Sequence, residues 1–361
     1  MTDEVRFGFL GAGWIAHRAL GPAVHAADGA RLQAVAARDA TRAAQLRPAG
    51  RAYDDYRAVL DDPEVEVVYI SLSNEVHRRW TLDALEAGKH VLCEKPLGLD
   101  AAEVAEMTAA ADRAGRLLVE AFWYRWHPRT RRLEQLLRDG DLGTVRQVEA
   151  EFSFDGRTDP RMAGNFRMEP GRGGGALYDV GCYVVSAAHL TLGSGLQVDE
   201  ARYDPGPTGV DLATTARLRA TGDEPAPATG GGPAGGGPAG GGPAAFTDRR
   251  SGSAVVRCAI ATPDRQELRV VGSQACVDFS TGEAFANWHQ PSALTISGPH
   301  GSHTEEFAPV DPYRLMVEAV AARVRGEESF LVGAQHSLDV ATTLDAIRAA
   351  AVPAPSAAQH S

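Results

Sequence analysis

The chain has 361 residues, 44% of them apolar, which suits roughly two domains at about 150 residues each. Its formal charge of −11 and pI near 5.5 exclude nucleic acid, whose phosphates such a surface repels. The four cysteines, Cys93, Cys182, Cys258 and Cys276, form no C-x-x-C pair and read as reduced thiols. The first residues lack a basic, apolar leader and no apolar run reaches about 18 residues, so the expectation is a cytoplasmic protein without a membrane span.

The first third alternates strands and helices. A strand is expected over Val5–Leu10, a tight turn over Gly11–Gly13 and a helix over Ala16–Ala26. A strand over Leu32–Ala37, a helical stretch over Thr41–Leu46 and the segment Tyr53–Leu60 follow. Then come strand Val65–Ser71, helix Val76–Ala87, strand His90–Cys93, helix Ala101–Ala114 and strand Leu117–Ala121. Such alternation predicts an α/β Rossmann domain, a doubly wound parallel sheet, over residues 1–122. Residues 123–354 read differently. A helix over Arg129–Asp139 precedes strand patterns at Val145–Phe154, Leu212–Arg219, Ser253–Ala261, Glu267–Val271 and Cys276–Phe279. Helices are expected at Gly181–Leu192, Pro312–Arg325 and His336–Ala350. This predicts an α+β domain with a large, mostly antiparallel sheet. Residues 223–250 hold a Gly-Gly-Gly-Pro-Ala repeat, which can bury no core and reads as a flexible hairpin-loop insertion. The tail over Pro355–Ser361 reads as frayed.

Gly11-Ala12-Gly13-Trp14-Ile15-Ala16 fits G-x-G-x-x-G/A between a strand and a helix, the context a dinucleotide turn requires. Gly11 permits the turn. Gly13, without a Cβ, lets a pyrophosphate approach the backbone N–H groups and the helix end. An NAD-type site expects an acid after the second strand. Here Arg38 stands there, placed for a 2′-phosphate, so NADP(H) is favoured over NAD(H). The alternative is that Arg38 lies on a solvated face and Asp39 meets the ribose. Ser71, at the end of a strand, should also face the crevice.

Two motifs address the chemistry. Glu94-Lys95-Pro96 follows an apolar strand, whose carboxyl end faces the crevice in an open α/β sheet. Gly173-Gly174-Gly175-Ala176-Leu177-Tyr178-Asp179-Val180-Gly181-Cys182-Tyr183 leads into a helix, and the four-residue spacing sets Asp179 and Tyr183 on one face. Together with Asn74, His77, Phe122–Pro128 and Asp311-Pro312-Tyr313, these residues resemble the Gfo/Idh/MocA oxidoreductase family. The likeness runs from Phe7 to about Arg348. It is nearest the branch of glucose–fructose oxidoreductase, dihydrodiol and xylose dehydrogenases and nucleotide-sugar 3-ketoreductases. Inositol dehydrogenases of the family place histidine where this chain has Tyr183.

The resemblance implies that Asn74, His77, Glu94, Lys95 and Pro96 border the dinucleotide, with a cis Lys95–Pro96 bond. It implies hydride transfer to or from a sugar, nucleotide-linked keto-sugar, cyclitol or related diol. It also implies that the second sheet mediates assembly into a homodimer or homotetramer. Tyr183 is the expected acid/base. A tyrosine of pKa about 10 is a poor base, so a nearby Lys95 ammonium should favour its phenolate and bind the reacting oxygen. Asp179 would orient Lys95 or the substrate. Tyr124, Arg125, Trp126 and His127 could line a sugar pocket or simply pack a domain junction, and Arg167 could meet a polar or anionic substituent. His300 and His303 sit in an expected loop without acidic companions, and no metal site is expected. Two other readings stay open: a relative with tightly held dinucleotide performing net hydrolysis or elimination, and a non-catalytic NADP(H) sensor.

Overall fold

The computed structural model describes residues 4–159, 162, 164–221 and 252–355. The 223–250 insertion and the tail beyond 355 lie outside the described residues.

Six short parallel strands form the first sheet: β1 (Val5–Leu10), β2 (Ala30–Ala36), β3 (Arg51–Tyr53), β4 (Val67–Ile70), β5 (His90–Cys93) and β6 (Leu118–Glu120). Their order is β3-β2-β1-β4-β5-β6, and the order reverses beside β1. Residues 14–26 are helical, with a π-type turn at Ala16–Leu20 and α1 at Gly21–Ala26. Next come α2 (Ala40–Ala44), α3 (Tyr56–Leu60), α4 (His77–Glu86) and α5 (Ala101–Ala114). Strand alternation sorts the core. Phe7 and Phe9 face a cluster with Leu20, Val24 and the second domain, whereas Leu10 faces a separate one with Val59, Ala84 and Met107. Each such fully buried side chain contributes roughly 1.5–3 kcal/mol. Asp55 and Asp100 cap α3 and α5, and Gly115 ends α5 at a φ of 60°.

The second sheet has nine strands: β7 (Val145–Asp155), β8 (Leu196–Pro205), β9 (Asp211–Ala220), β10 (Ser253–Ala259), β11 (Ala261–Gly272), β12 (Cys276–Thr281), β13 (Ser292–Gly298), β14 (Gly301–Phe307) and β15 (Ala351–Pro353). Their order is β14-β13-β12-β11-β7-β10-β9-β8-β15, and only the β7–β10 and β8–β15 pairs are parallel. One face packs on α6 (Pro128–Asp139) and α7 (Cys182–Leu192), while the other exposes Arg217, Arg219, Arg257, Glu267 and Arg269. The insertion joins β9 to β10, which are antiparallel neighbours with Arg219 opposite Ser253. Helices α8 (Pro312–Val324) and α9 (Ala334–Ala350) follow the sheet hairpins. α9 serves both halves: Asp345 accepts from the Ala101 backbone N–H at the start of α5, and Ala341 enters the Rossmann core.

Several expectations need correction. His303 lies on β14, opposite Ile296, not in a loop; His300 sits in the turn between β13 and β14. β3, β8, β13, β14 and β15 were not anticipated. Asp179 lies in a π-type turn, Leu177–Gly181, that opens the helix before α7, so its relation to Tyr183 is not a simple α-helical i,i+4 spacing.

Candidate active site

The carboxyl ends of β1, β2, β4 and β5 converge where the strand order reverses, the usual crevice for a ligand in this topology. Gly11 holds a φ of 104°, and a Cβ there would stand 2.9 Å from the Ser71 hydroxyl. Gly13 differs. A Cβ there would meet nothing nearer than the Ser71 carbonyl oxygen at 3.9 Å, so no protein group demands glycine. The space above Gly13 is open and lies at the start of a helix, which fits a pyrophosphate. Trp14 is 56% exposed beside it, while Ile15 is half-buried.

Beyond β2, the Asp39 carboxylate caps α2 through the Thr41 N–H at 2.8 Å. Arg38 is exposed, and with Arg42 it faces Tyr56, opposing the burial that raises that phenol. Two cations therefore stand where an acid would mark a ribose diol. Asn74 and His77 are tied to neighbouring loops. Asn74 donates to the Gly173 carbonyl at 2.8 Å, and the fully buried His77 ring lies between the Pro96 and Leu72 carbonyls at 2.9 and 3.2 Å. They position loops around the crevice. Arg172 adds to this closure, reaching Glu75 at 2.7 Å and the Ser73 hydroxyl at 2.9 Å.

The charged centre sits next to this crevice. The Lys95–Pro96 bond is cis. Lys95 Nζ donates to the Asp179 backbone oxygen at 2.7 Å and to its carboxylate at 3.2 Å. It lies 5.2 Å from the centre of the Tyr183 ring. An ammonium has three donors, and among the described residues Asp179 takes two of them. The other Asp179 oxygen meets Arg167 Nε at 2.7 Å. Burial would raise the Asp179 carboxyl, but Arg167 and Lys95 overcome it and hold the pKa at about 2. Burial likewise opposes charge on Arg167, and Asp179 more than restores it. Glu94 is pushed up by burial and accepts from the Tyr69 hydroxyl at 2.7 Å.

Tyr183 is 4% exposed among Phe122, Tyr124, Phe152 and Phe285. Its hydroxyl accepts from Trp123 Nε1 at 2.8 Å, and the Trp123 indole stacks on Tyr313 at 4.5 Å. Burial raises its phenol well above the ordinary value. This corrects the expectation that Lys95 would make it a ready phenolate: the ammonium is committed to Asp179 and lies over the ring. Neither Trp123 nor Tyr313 was singled out in the sequence. The stretch around Trp123 and the helix start at Tyr313 were noticed, but nothing in them showed that these rings meet.

The structure does not bring Tyr124, Arg125, Trp126 and His127 together as a pocket wall. All four are buried. Tyr124 bonds Ser186 at 2.8 Å, Arg125 pairs with Glu134 at 2.7 Å, Trp126 donates to the Phe330 carbonyl at 3.1 Å, and His127 caps α6. They pack the domain junction.

Residues 5–122 match the profile of the oxidoreductase family with an NAD-binding Rossmann fold, and residues 130–228 match the GFO/IDH/MocA C-terminal domain. The chain is 34% identical to a D-xylose 1-dehydrogenase (NADP(+)) from Haloferax volcanii over 94% of this chain and 95% of that protein. It belongs to the Gfo/Idh/MocA oxidoreductase family. An uncharacterized oxidoreductase from Rhizobium meliloti is 31% identical over 97% of both chains. The structure also superposes on a 3-ketoreductase from Actinomadura kijaniata, crystallised with NADP and TDP-benzene. Its TM-score is 0.79 and its identity 26%, over 98% of this chain and 100% of that one.

Proposed function

We propose that this Gfo/Idh/MocA oxidoreductase is an NADP(H)-dependent enzyme that moves a hydride to or from a sugar, nucleotide-linked keto-sugar, cyclitol or related diol. The observation that carries the reading is the Tyr183 hydroxyl. Among the described residues, its hydrogen bond is one it accepts from Trp123, and its environment keeps it protonated. A neutral phenol with its own proton unspent suits the acid of a carbonyl reduction.

A nicotinamide dinucleotide bound at the Gly11–Gly13 turn supplies or accepts the hydride. The protein handles the charge. As negative charge builds on the substrate oxygen, Tyr183 gives it a proton and the Trp123 N–H steadies the phenolate left behind. The Lys95 ammonium, 5.2 Å from the centre of the Tyr183 ring, adds positive charge to the same region. Asp179, held ionised between Lys95 and Arg167, fixes both cations. In oxidation the same atoms run in reverse. The NADP named for the Haloferax and Actinomadura proteins supports the assignment of Arg38 to the 2′-phosphate. Dehydrogenases and reductases of sugars among the relatives support the substrate class. Four free cysteines fit a reducing cytoplasm. Assembly as a homodimer or homotetramer belongs to the same reading and is checked by sedimentation equilibrium.

The test is Tyr183→Phe. Turnover of NADPH with keto-sugars, or of NADP⁺ with aldoses and cyclitols, should fall roughly a hundredfold or more, with dinucleotide affinity retained. Near-normal turnover removes Tyr183 from the chemistry.

A further inference from the structure

Glu120 ends β6 directly opposite Cys93, two residues before Lys95. It is 3% exposed. One carboxyl oxygen accepts from the Leu97 backbone N–H at 2.9 Å, which pins the chain two residues beyond Lys95. The other oxygen is buried and closes no hydrogen bond of ordinary length among the described residues, although the Ser337 hydroxyl of α9 acts on the carboxyl. A buried carboxylate half-satisfied in this way is costly, whereas a carboxylic acid is much less so.

We propose that Glu120 is a positioning residue for Lys95, anchoring its segment and setting, by gaining or losing one proton, the electrostatic field that Lys95 presents to the substrate. This rests on the reading of Lys95 and Tyr183 given above. The groups facing the carboxyl come from every side. Glu94, Lys95 and the Cys93 thiol belong to β5 and the loop after it, Cys182 to α7, and the Ser337 hydroxyl to α9. Burial raises Glu120, Ser337, the Leu97 N–H and Lys95 draw it back, and Glu94 pushes it up again, to about 7. With Glu120 in the acid form, the cations Lys95 and Arg167 balance the carboxylates Asp179 and Glu94. Ionised Glu120 leaves the cluster one charge negative, which disfavours an oxygen becoming negative.

Two measurements test this. In infrared difference spectra of the dinucleotide-free protein, a protonated-carboxyl C=O band should vanish between pH 6 and pH 8, and Glu120→Gln should lack that change. The absence of a neutral-range carboxyl titration overturns the proposal without touching the assignment of Tyr183. In ketone reduction, kcat/KM should fall roughly fivefold across the same interval, the scale of one added buried charge, and the fall should be absent in Glu120→Gln. Gln keeps an acceptor for the Leu97 N–H. Glu120→Leu, which does not, should lower kcat with little change in NADPH affinity. A pH profile in Glu120→Gln that matches the parent, or wild-type turnover in Glu120→Leu, overturns the proposal. Loss of the infrared change in the variant, with no reduction of any keto-sugar by the parent, instead sinks the functional reading and leaves the protonation of Glu120 standing.

Discussion

Trp123 donates its indole N–H to the Tyr183 hydroxyl across 2.8 Å, while its flat face stacks on Tyr313. The bond stabilises a phenolate more than a phenol, because a hydrogen bond to a charged acceptor is worth roughly 1.5–3 kcal/mol. Trp123→Phe keeps an aromatic face for Tyr313 and deletes the donor. The pH at which alcohol oxidation reaches half its plateau should rise by about one to two units. An unshifted profile would show that the indole N–H does not act on the phenol.

Gly13 and Gly11 separate a ligand's demands from the fold's. A Cβ on Gly13 enters open space, so Gly13→Ala should melt no lower than the parent, and higher if anything, by about 0.4–1 kcal/mol. Its NADPH affinity should nevertheless fall, because the methyl occupies the approach to the backbone. Gly11→Ala, at a φ of 104° against Ser71, should lose stability as well. Calorimetry with and without NADPH reads both. Unimpaired binding in Gly13→Ala would move the pyrophosphate elsewhere.

Arg38 is exposed past β2 while Asp39 spends an oxygen on the cap of α2. Arg38→Ala should weaken NADPH roughly 10- to 100-fold, the value of charge-assisted bonds to a phosphate, and NADH about twofold at most. Titration of both nucleotides decides it, and equal losses remove the 2′-phosphate from Arg38.

His127 gives a stability prediction. Its Nδ1 accepts from the Arg129 N–H, so its single proton sits on Nε2 toward Asn287. Burial first, then Arg129, push its pKa down to about 4. The unfolded chain protonates near 6.5, so as pH falls it takes up the proton before the folded one. Stability is full above about 6.5 and is lost progressively down to about 4, by up to about 3 kcal/mol. His127→Asn retains a capping acceptor and does not titrate. Urea unfolding at pH 7.5 and 4.5 should show a smaller acid loss in the variant. An identical loss in both proteins would place the acid sensitivity in other groups.

The order of elements in the first sheet was legible because each buried strand is a short apolar run closed by a turn and followed by a helix. β3 escaped notice: it is three residues long, at the edge, and only partly buried. β14 reads Gly-Ser-His-Thr-Glu-Glu-Phe and is largely exposed, so it carries no apolar alternation; pairing with β13 alone makes it a strand. β8 is broken by a register shift between Val198 and Glu200, which scrambles its period of two. In the site, Lys95, Asp179 and Tyr183 stood out because polar groups follow apolar or glycine-rich runs. Arg125 misled for the opposite reason. Its partner, Glu134, lies nine residues away on α6, and only the folded turn brings them together. Trp123 and Tyr313 are 190 residues apart, and no local pattern announces their stacking.

The attachment of α9 to both halves bears on synthesis. Ala341 and Leu338 complete the Rossmann core, and Asp345 seals the first turn of α5, yet these residues are made more than two hundred positions after β6. While a ribosome is still translating the second sheet, the nascent dinucleotide half has one apolar flank bare to solvent and to chaperones. A fragment cut after Phe122 would inherit that bare flank permanently. The last helix thus supplies a part of the first domain's cover that only a nearly finished chain can provide.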